Sequence, residues 1–531
     1  MEIAIRESCC IRDRHHFYYY IQQMRKKQIE YGDWQTSLPL AIAICQMLKQ
    51  KGIKPQVVIE PTCGIGNFII AALQTFDTIE EIYGIDINSE HIKQLTQSLS
   101  HIHLTKQINI HLYNQDIFIF DWQQIKDSIH NKHILVLGNP PWVTNSCLGR
   151  ISGNNIPLKN NFKHQKGIEA ITGKGNFDIS ESICYQLVDL LAMEEAHLVL
   201  ILKNSIIKNI VYRSLPGRLP IAAMQQYNIN AKKEFDVSVA AAVFCCKIAK
   251  ENIKKEKCIA FDFYTQQELY RYGWLGHNFV ANIDLYQSTK DIDGLSPIEW
   301  RSGVKHDCAK VMELTYNGQN YVNGYGNIVD IEEECIYPLL KSSDIGTEII
   351  TTTKHYIIIT QKKPSQDTDY IKHQYPKLYT YLLHYAHLLD NRKSSIYKKH
   401  FRFGMFGIGD YSFTPYKVVI SGLYKHTRCS LVMPINGRCV MLDDTCYALG
   451  FDNLENATTT TNILNSPHVQ SFLQSILFTD AKRVINKENL MRIDLLKAAD
   501  IIFPHGAENI ERYKDSLQKS KPLFLQLPIF T

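Results

Sequence analysis

No apolar run in this 531-residue chain approaches the ~20 residues a bilayer-spanning helix needs, so no such helix is expected. Near the N-terminus stand Arg6, Arg12 and Arg14, but no apolar core follows them, so no secretory leader is expected and the cytoplasm is the expected location. The 14 cysteines do not show the short gaps of a structural zinc site. Cys9–Cys10 and Cys245–Cys246 are adjacent and the others are scattered, which points to free thiols in a reducing compartment and to no bound metal. There is no internal repeat, and the low-complexity content is confined to Thr458–Thr461. Charge of one sign is also missing. With 58 Lys and Arg against 53 Asp and Glu the formal charge is +5, which allows a nucleic-acid partner without requiring one.

What the chain does contain is enough apolar material, 45% of residues, for two or three domains. Leu38–Leu48 has apolar positions at helical spacing behind Pro39. From residue 56 to 248 short apolar runs alternate with helix-like segments. The strand-like runs are Val57–Glu60, Ile82–Asp86, Ile108–Tyr113, Ile134–Gly138, His197–Leu202 and Val239–Lys247. Strands alternating with helices predict an α/β domain, a doubly wound, mainly parallel sheet with helices on both faces. The Lys- and Glu-rich run 248–257 marks an exit, so the predicted domains are residues 1–255 and 256–531. The second has the irregular mixture of an α+β domain, with Gly404, Gly407 and Gly409 in one aromatic stretch.

Three acids at strand ends point to a cofactor. In Val57-Val-Ile-Glu-Pro-Thr-Cys-Gly-Ile-Gly-Asn-Phe68 a strand ends in Glu60 and a turn through Gly64 and Gly66 leads into a helix. A dinucleotide loop would want a third glycine, and Glu60 would repel a pyrophosphate. A nucleoside carrying a charged amino-acid tail suits the site better, and S-adenosylmethionine is such a molecule. Asp86 lies 20 residues after Gly66, where a carboxylate can accept from both ribose hydroxyls. Asp116 ends a third strand and is placed to accept from the adenine amino group. Each aspartate alone reads as a solvated loop residue; three acids at successive strand ends do not, because ligands of such sheets bind there.

A fourth strand ends in Asn139-Pro140-Pro141-Trp142, a stiff extended exit, since two prolines continue neither helix nor central strand. An exocyclic amine on a nucleobase is a poor nucleophile because its lone pair is delocalised into the ring. Accepting a hydrogen bond from each N–H frees that pair, and the Asn139 side-chain oxygen and Pro140 carbonyl are the available acceptors. Trp142 offers a flat face for an extruded base.

With these motifs in order, the chain resembles the gamma class of amino-methylating DNA methyltransferases of restriction–modification systems. The resemblance runs over most of the chain and implies a Rossmann-like methyltransferase fold followed by a C-terminal α+β target-recognition domain. Tyr31-Gly-Asp-Trp-Gln-Thr36 matches the segment this class places before its first strand, which implies cofactor contacts for Gln35 and Thr36. Glu60, Pro61, Gly64 and Gly66 match its glycine motif; Asp86, with Ile87, its ribose acid; Asp116, with Ile117, its adenine acid. Phe235-Asp-Val-Ser-Val239 resembles the later motif whose aromatic residue packs on the flipped base, making Phe235 a second stacking candidate beside Trp142. Two departures matter. Trp142 stands where members more often carry Tyr or Phe. The leading Asn139 favours N6 of adenine, whereas N4-cytosine enzymes more usually begin with Ser.

Between Asn391 and Arg428 eight basic residues (Arg392, Lys393, Lys398, Lys399, Arg402, Lys417, Lys425, Arg428) meet one acid, Asp410, among many aromatics. That mixture suits a double-stranded DNA surface, with Lys398, Lys399 and Arg402 as phosphate-binding candidates; a solvated face over an aromatic core would have the same composition. Trp300–His306 and Pro415–Gly422 also resemble segments of recognition halves. The expectation is therefore a monomeric, S-adenosylmethionine-dependent, base-flipping DNA adenine-N6 methyltransferase, with a cognate nuclease, if any, on a separate chain. The alternatives are N4-cytosine methylation, a protein-glutamine or RNA methyltransferase, for which the long second half has no use, and an inactive specificity subunit, against which the intact Asn139–Trp142 and Asp86 speak.

Overall fold

A computed structural model describes residues 34–104, 106–143, 178–214, 219–248, 257–424, 426–479, 483–504 and 508–519. The chain forms two compact units, Met1–Phe279 and Val280–Thr531.

In the first unit the strands are β1 (Val57–Glu60), β2 (Glu81–Asp86), β3 (Asn109–Asn114), β4 (Ile134–Gly138) and β5 (Ala196–Lys203). They are followed by β6 (Ile221–Ile229), β7 (Ala241–Ile248), β8 (Lys257–Asp262), β9 (Glu268–Leu275) and β10 (Asn278–Val280). They make one sheet in the order β10-β9-β8-β6-β7-β5-β4-β1-β2-β3. From β3 to β5 all pairings are parallel; β7 then runs antiparallel to both β5 and β6. This is the expected doubly wound, mainly parallel sheet. β1 and β4 are buried at every position, as strands covered on both faces must be, which is why they read as unbroken apolar runs. β3 lies at the sheet edge and has no fully buried position.

The chain moves from β1 outward to β2 and β3 and then returns to lay β4 on the other side of β1. That reversal opens a crevice at the carboxyl ends of β1 and β4. Two helices pack together beside it, Leu38–Gln50 and Asn67–Thr75. The first starts where the Ser37 side chain accepts from the Leu40 amide and Pro39 fills the first turn. Their Ile44, Phe68 and Ile69 join Val58, Ile82 and Leu135 in one buried core.

The six strands read from the sequence correspond to β1–β5 and β7, each end within two residues. β6 was not foreseen. Its Gln225, Gln226 and Asn228 look like loop residues, and a bulge between Ala222 and Gln225, with Ala223 at φ 50°, breaks its alternation. The boundary expected at 255/256 lies instead at 279/280. β8 adds parallel to β6 and β9 adds antiparallel to β8, so the sheet continues past the lysine-rich run and the edge of β6 is covered.

The second unit is α+β, as expected. Its strands are β11 (Arg301–Ser302), β12 (Glu313–Tyr316), β13 (Tyr321–Asn323), β14 (Ile336–Leu340), β15 (Ile349–Ile350), β16 (His355–Ile358), β17 (Tyr416–Ser421), β18 (Ser430–Val432), β19 (Met441–Leu442) and β20 (Cys446–Phe451). They form two five-stranded sheets, β11-β20-β17-β18-β15 and β13-β12-β16-β14-β19. Among the described residues no helix is long and apolar enough to cross a membrane.

Candidate active site

The turn after β1 is held by backbone geometry. Gly64 and Gly66 have φ of +51° and +80°, the left-handed region that favours glycine. A Cβ on Gly66 would come within 2.1 Å of the Leu95 side chain. Asp86, at the end of β2, anchors this turn: its Oδ2 accepts from the Gly64 N–H at 2.8 Å and its Oδ1 from the Asn88 N–H at 2.8 Å. His91 Nδ1 stands 3.4 Å from Oδ1. A carboxylate has about four acceptor sites, so each Asp86 oxygen keeps capacity for a ligand hydroxyl. The segment ahead of the first helix is tied to the same turn. Gln35 Oε1 accepts from the Ile65 N–H at 3.3 Å, and Asn67 Nδ2 donates to the Thr36 carbonyl at 2.7 Å. Tyr31, Gly32 and Asp33 lie outside the described residues.

These groups border a single cleft at the carboxyl ends of the strands. Gln35, Thr36, Glu60, Pro61, Gly64, Asp86, Ile87, Asp116, Ile117, Asn139 and Pro141 all line it. Gly66, Pro140, Trp142 and Phe235 do not line it. Trp34, Thr62, His91, Phe118, Ile179 and Ile183 are lining residues that the sequence did not single out. Asp116 Oδ1 accepts from the Phe118 N–H at 3.0 Å, which fixes the carboxylate at the cleft wall.

Four buried side-chain oxygens of the lining, Thr36 Oγ1, Glu60 Oε2, Thr62 Oγ1 and Asn139 Oδ1, have no hydrogen-bond partner among the described residues. Buried polar groups are normally paired, so the cleft is built for a polar ligand that hydrogen-bonds to these groups. Burial pushes the Glu60 carboxyl well above the usual range, against a hydrogen bond from the Ile69 amide, and the neighbouring Asp86 charge adds to the rise. A cationic ligand group would reverse that shift.

The Asn139 amide is oriented unambiguously. Its Nδ2 donates to the Trp34 carbonyl at 2.8 Å; a carbonyl only accepts, so the amide nitrogen must face it and Oδ1 must point away. Trp142 differs from expectation. Its Nε1 donates to the Ile201 carbonyl at 3.3 Å, and its ring meets Phe235 edge-on, centroids 5.2 Å apart and planes at 69°. Both rings are buried, 7% and 6% exposed. A base sandwiched between parallel rings needs roughly 7 Å, two van der Waals contacts of about 3.5 Å, so the pair is closed in this structure. Lys203, at the end of β5, braces the same loop. Its Nζ donates to the Trp142 carbonyl at 3.1 Å and pairs with Asp178 Oδ2 at 2.6 Å. Asp178 caps the helix Ile179–Leu190, and the Ile179 N–H donates to the Val143 carbonyl at 2.9 Å. A lysine closing an apolar strand was the available signal for this residue.

In the second unit the basic run divides by environment. Arg392 is buried; its guanidinium lies 3.8 Å from the Tyr397 ring centroid and donates to the carbonyls of Leu389, His306, Gly404 and Arg402. It organises the loop and is not free for a phosphate. Lys417 is also buried. Arg402 is half-exposed and held by Asp390, which it contacts through Nε and Nη2; Asp390 lies one residue outside the window counted in the sequence. Lys393 and Lys398 are exposed. The Lys399 side chain and Lys425 lie outside the described residues.

No family model matches the chain. It is 40% identical over 483 residues to the type II methyltransferase M.NspV of Nostoc sp. (strain ATCC 29411 / PCC 7524), covering 91% of this chain and all of that protein. Among solved structures, the type IIL restriction-modification enzyme MmeI in complex with DNA aligns with a TM-score of 0.49 at 12% identity, over 97% of this chain and 76% of that one. A type I restriction-modification methyltransferase subunit from Streptococcus thermophilus aligns with a TM-score of 0.31 at 14% identity, over 48% of this chain and 53% of that one. Both structural likenesses are too distant to inform function.

Proposed function

The chain belongs to the type II methyltransferases, and from that footing we propose that it transfers a methyl group from S-adenosylmethionine to N6 of a flipped adenine in double-stranded DNA. S-adenosylmethionine is the cofactor of the fold and family. The observation that carries the finer reading is the Asn139 amide: Trp34 holds its nitrogen, and its buried oxygen is left without a partner in the cofactor cleft.

The donor set fits the cofactor. Asp86 would hold the ribose hydroxyls, Asp116 the adenine amino group, and Glu60 with Thr36 or Thr62 the charged amino-acid tail. When bound, S-adenosylmethionine supplies an activated methyl on a sulfonium sulfur. Asn139 Oδ1 would accept from one N–H of the target amine, and the Pro140 carbonyl, which does not line the cleft in this structure, would have to turn into it to accept from the other, orienting the amine's lone pair for attack. The alkylated amine would carry a positive charge that makes one of its protons acidic; that proton would leave to solvent, so no strong base of this chain is required. Trp142 and Phe235 must part, or present one face, for the base to stack; Lys203 and Asp178 keep the loop backbone in place while they do. The test of substrate class is transfer of labelled methyl by the full chain to duplex DNA, single-stranded RNA or protein. Incorporation confined to RNA or protein would refute the DNA reading.

Glu60 supplies a pH test. Its carboxyl is raised in the free protein and a cationic ligand tail would lower it, so binding should release a proton. Affinity should rise with pH between the carboxyl's values in the complex and in the free protein, then level off. Calorimetry in two buffers of different ionisation enthalpy reads the proton directly; no release, with Glu60→Gln binding as wild type, would remove Glu60 from the tail site.

The second unit is proposed as the DNA-recognition half. Neutralising Lys398, Lys399 and Arg402 together should weaken DNA binding and flatten its salt dependence by about one unit of slope per lost phosphate contact. Cofactor affinity should not move. An unchanged slope would make this run a solvated face.

A further inference from the structure

The structure brings together two segments that the active site does not use, Trp300–His306 and Pro415–Gly422. β11 and β17 flank β20 in one sheet, and residues of all three strands, with Tyr411 and Ser412, line a small cleft of about 30 Å³ that includes Arg301, Ser302 and Lys417. Lys417 is only 3% exposed. Its ammonium makes one hydrogen bond, to the Thr414 carbonyl at 2.6 Å, and among the described residues it has no carboxylate partner. The acid nearest the cleft, Glu299, is already shared between Arg301 and Lys487. Burial pushes the Lys417 ammonium down to about 8. A buried charge with two unused donors is costly, and among the described residues no acidic group compensates it. At the mouth Arg301, half-exposed, lies 5.1 Å from the Tyr411 ring centroid, so the rim is cationic and aromatic.

We propose that this cleft receives an oxygen acceptor of the target DNA, with Lys417 as the donor at its floor and Arg301 at its rim. The acceptor is either a backbone phosphate oxygen or the carbonyl of a base edge, and the two sources are separable. The proposal rests on the DNA-methyltransferase reading above.

The test uses the full chain, a duplex carrying the site it methylates, and duplexes with each base pair of that site replaced in turn. Lys417→Met should leave S-adenosylmethionine affinity unchanged and thermal stability equal or higher, since a poorly paired buried charge is replaced by an apolar chain of similar volume. Affinity for the methylated-site duplex should fall at least tenfold. A phosphate contact would show as an equal loss on every duplex with the salt slope reduced by about one. A base carbonyl would show as lost discrimination at one base pair, with the slope kept. Arg301→Gln, at the exposed rim, should weaken binding severalfold and keeps the test valid if Lys417→Met does not fold. If the wild-type chain methylates no DNA, the premise has failed. If it does, and both variants bind and methylate every duplex as wild type does, the cleft has no part in recognition and the proposal is overturned.

Discussion

Asn139→Ala is expected to reduce methyl transfer by about 10²–10³-fold, the usual cost of removing one preorganised group that stabilises the transition state. The reason lies in the two ends of the amide. Nδ2 is committed to the Trp34 carbonyl and Oδ1 is buried at the cleft without a partner, so the loss should fall on turnover and leave S-adenosylmethionine affinity nearly intact. The bond to Trp34 is a typical intramolecular hydrogen bond worth about 0.5–1.5 kcal/mol, and a small drop in thermal stability should accompany the change. Asn139→Asp separates these effects: it keeps an acceptor at the cleft but faces a carboxylate oxygen against the Trp34 carbonyl, so it should also be impaired. Single-turnover kinetics at saturating cofactor is the measurement. An Ala variant that keeps more than roughly a tenth of wild-type turnover would exclude Asn139 from the chemistry.

The second large effect is on binding. Asp86→Ala should weaken S-adenosylmethionine affinity by ~1.5–3 kcal/mol, roughly ten- to a hundredfold, the range for hydrogen bonds to a charged group. Asp86 also anchors the Gly64 and Asn88 amides, so part of that loss comes from a looser glycine turn. Asp86→Asn distinguishes the contributions, because its single oxygen can serve one amide or a hydroxyl but not the full set. Isothermal titration with cofactor alone reads both variants. A dissociation constant equal to wild type in Asp86→Ala would remove the ribose assignment, while DNA binding without cofactor should change little in either case.

Much of the first unit was legible because its central strands are covered on both faces. Val57–Ile59 and Ile134–Gly138 are unbroken apolar runs, and what stands at their ends, Glu60 and Asn139, is thereby placed at the sheet's reversal point. Asp86 and Asp116 follow from the same rule. β6 was not legible, because its Gln226 is buried through a partner distant in sequence, the Tyr272 hydroxyl, from which it accepts, while it donates to Asn228 two residues along the same strand. The closed Trp142–Phe235 pair could not be read either: the rings come from segments about ninety residues apart, and tertiary packing decides whether an aromatic face is open. Composition also misled in the second unit. Arg392 and Lys417 counted toward a basic surface, yet carbonyl groups draw both inside. The sign of a side chain is visible in a sequence; its burial depends on partners elsewhere in the fold.

Methylation at adenine N6 can be read from the modified nucleoside itself. Duplex DNA incubated with the purified chain and S-adenosylmethionine carrying a deuterated methyl group is digested to nucleosides and analysed by mass spectrometry. The expected product is deuterated N6-methyl-2′-deoxyadenosine, formed about 10²–10³-fold more slowly when Asn139→Ala replaces the wild type. Deuterated N4-methyl-2′-deoxycytidine, with the adenine unlabelled, would contradict it.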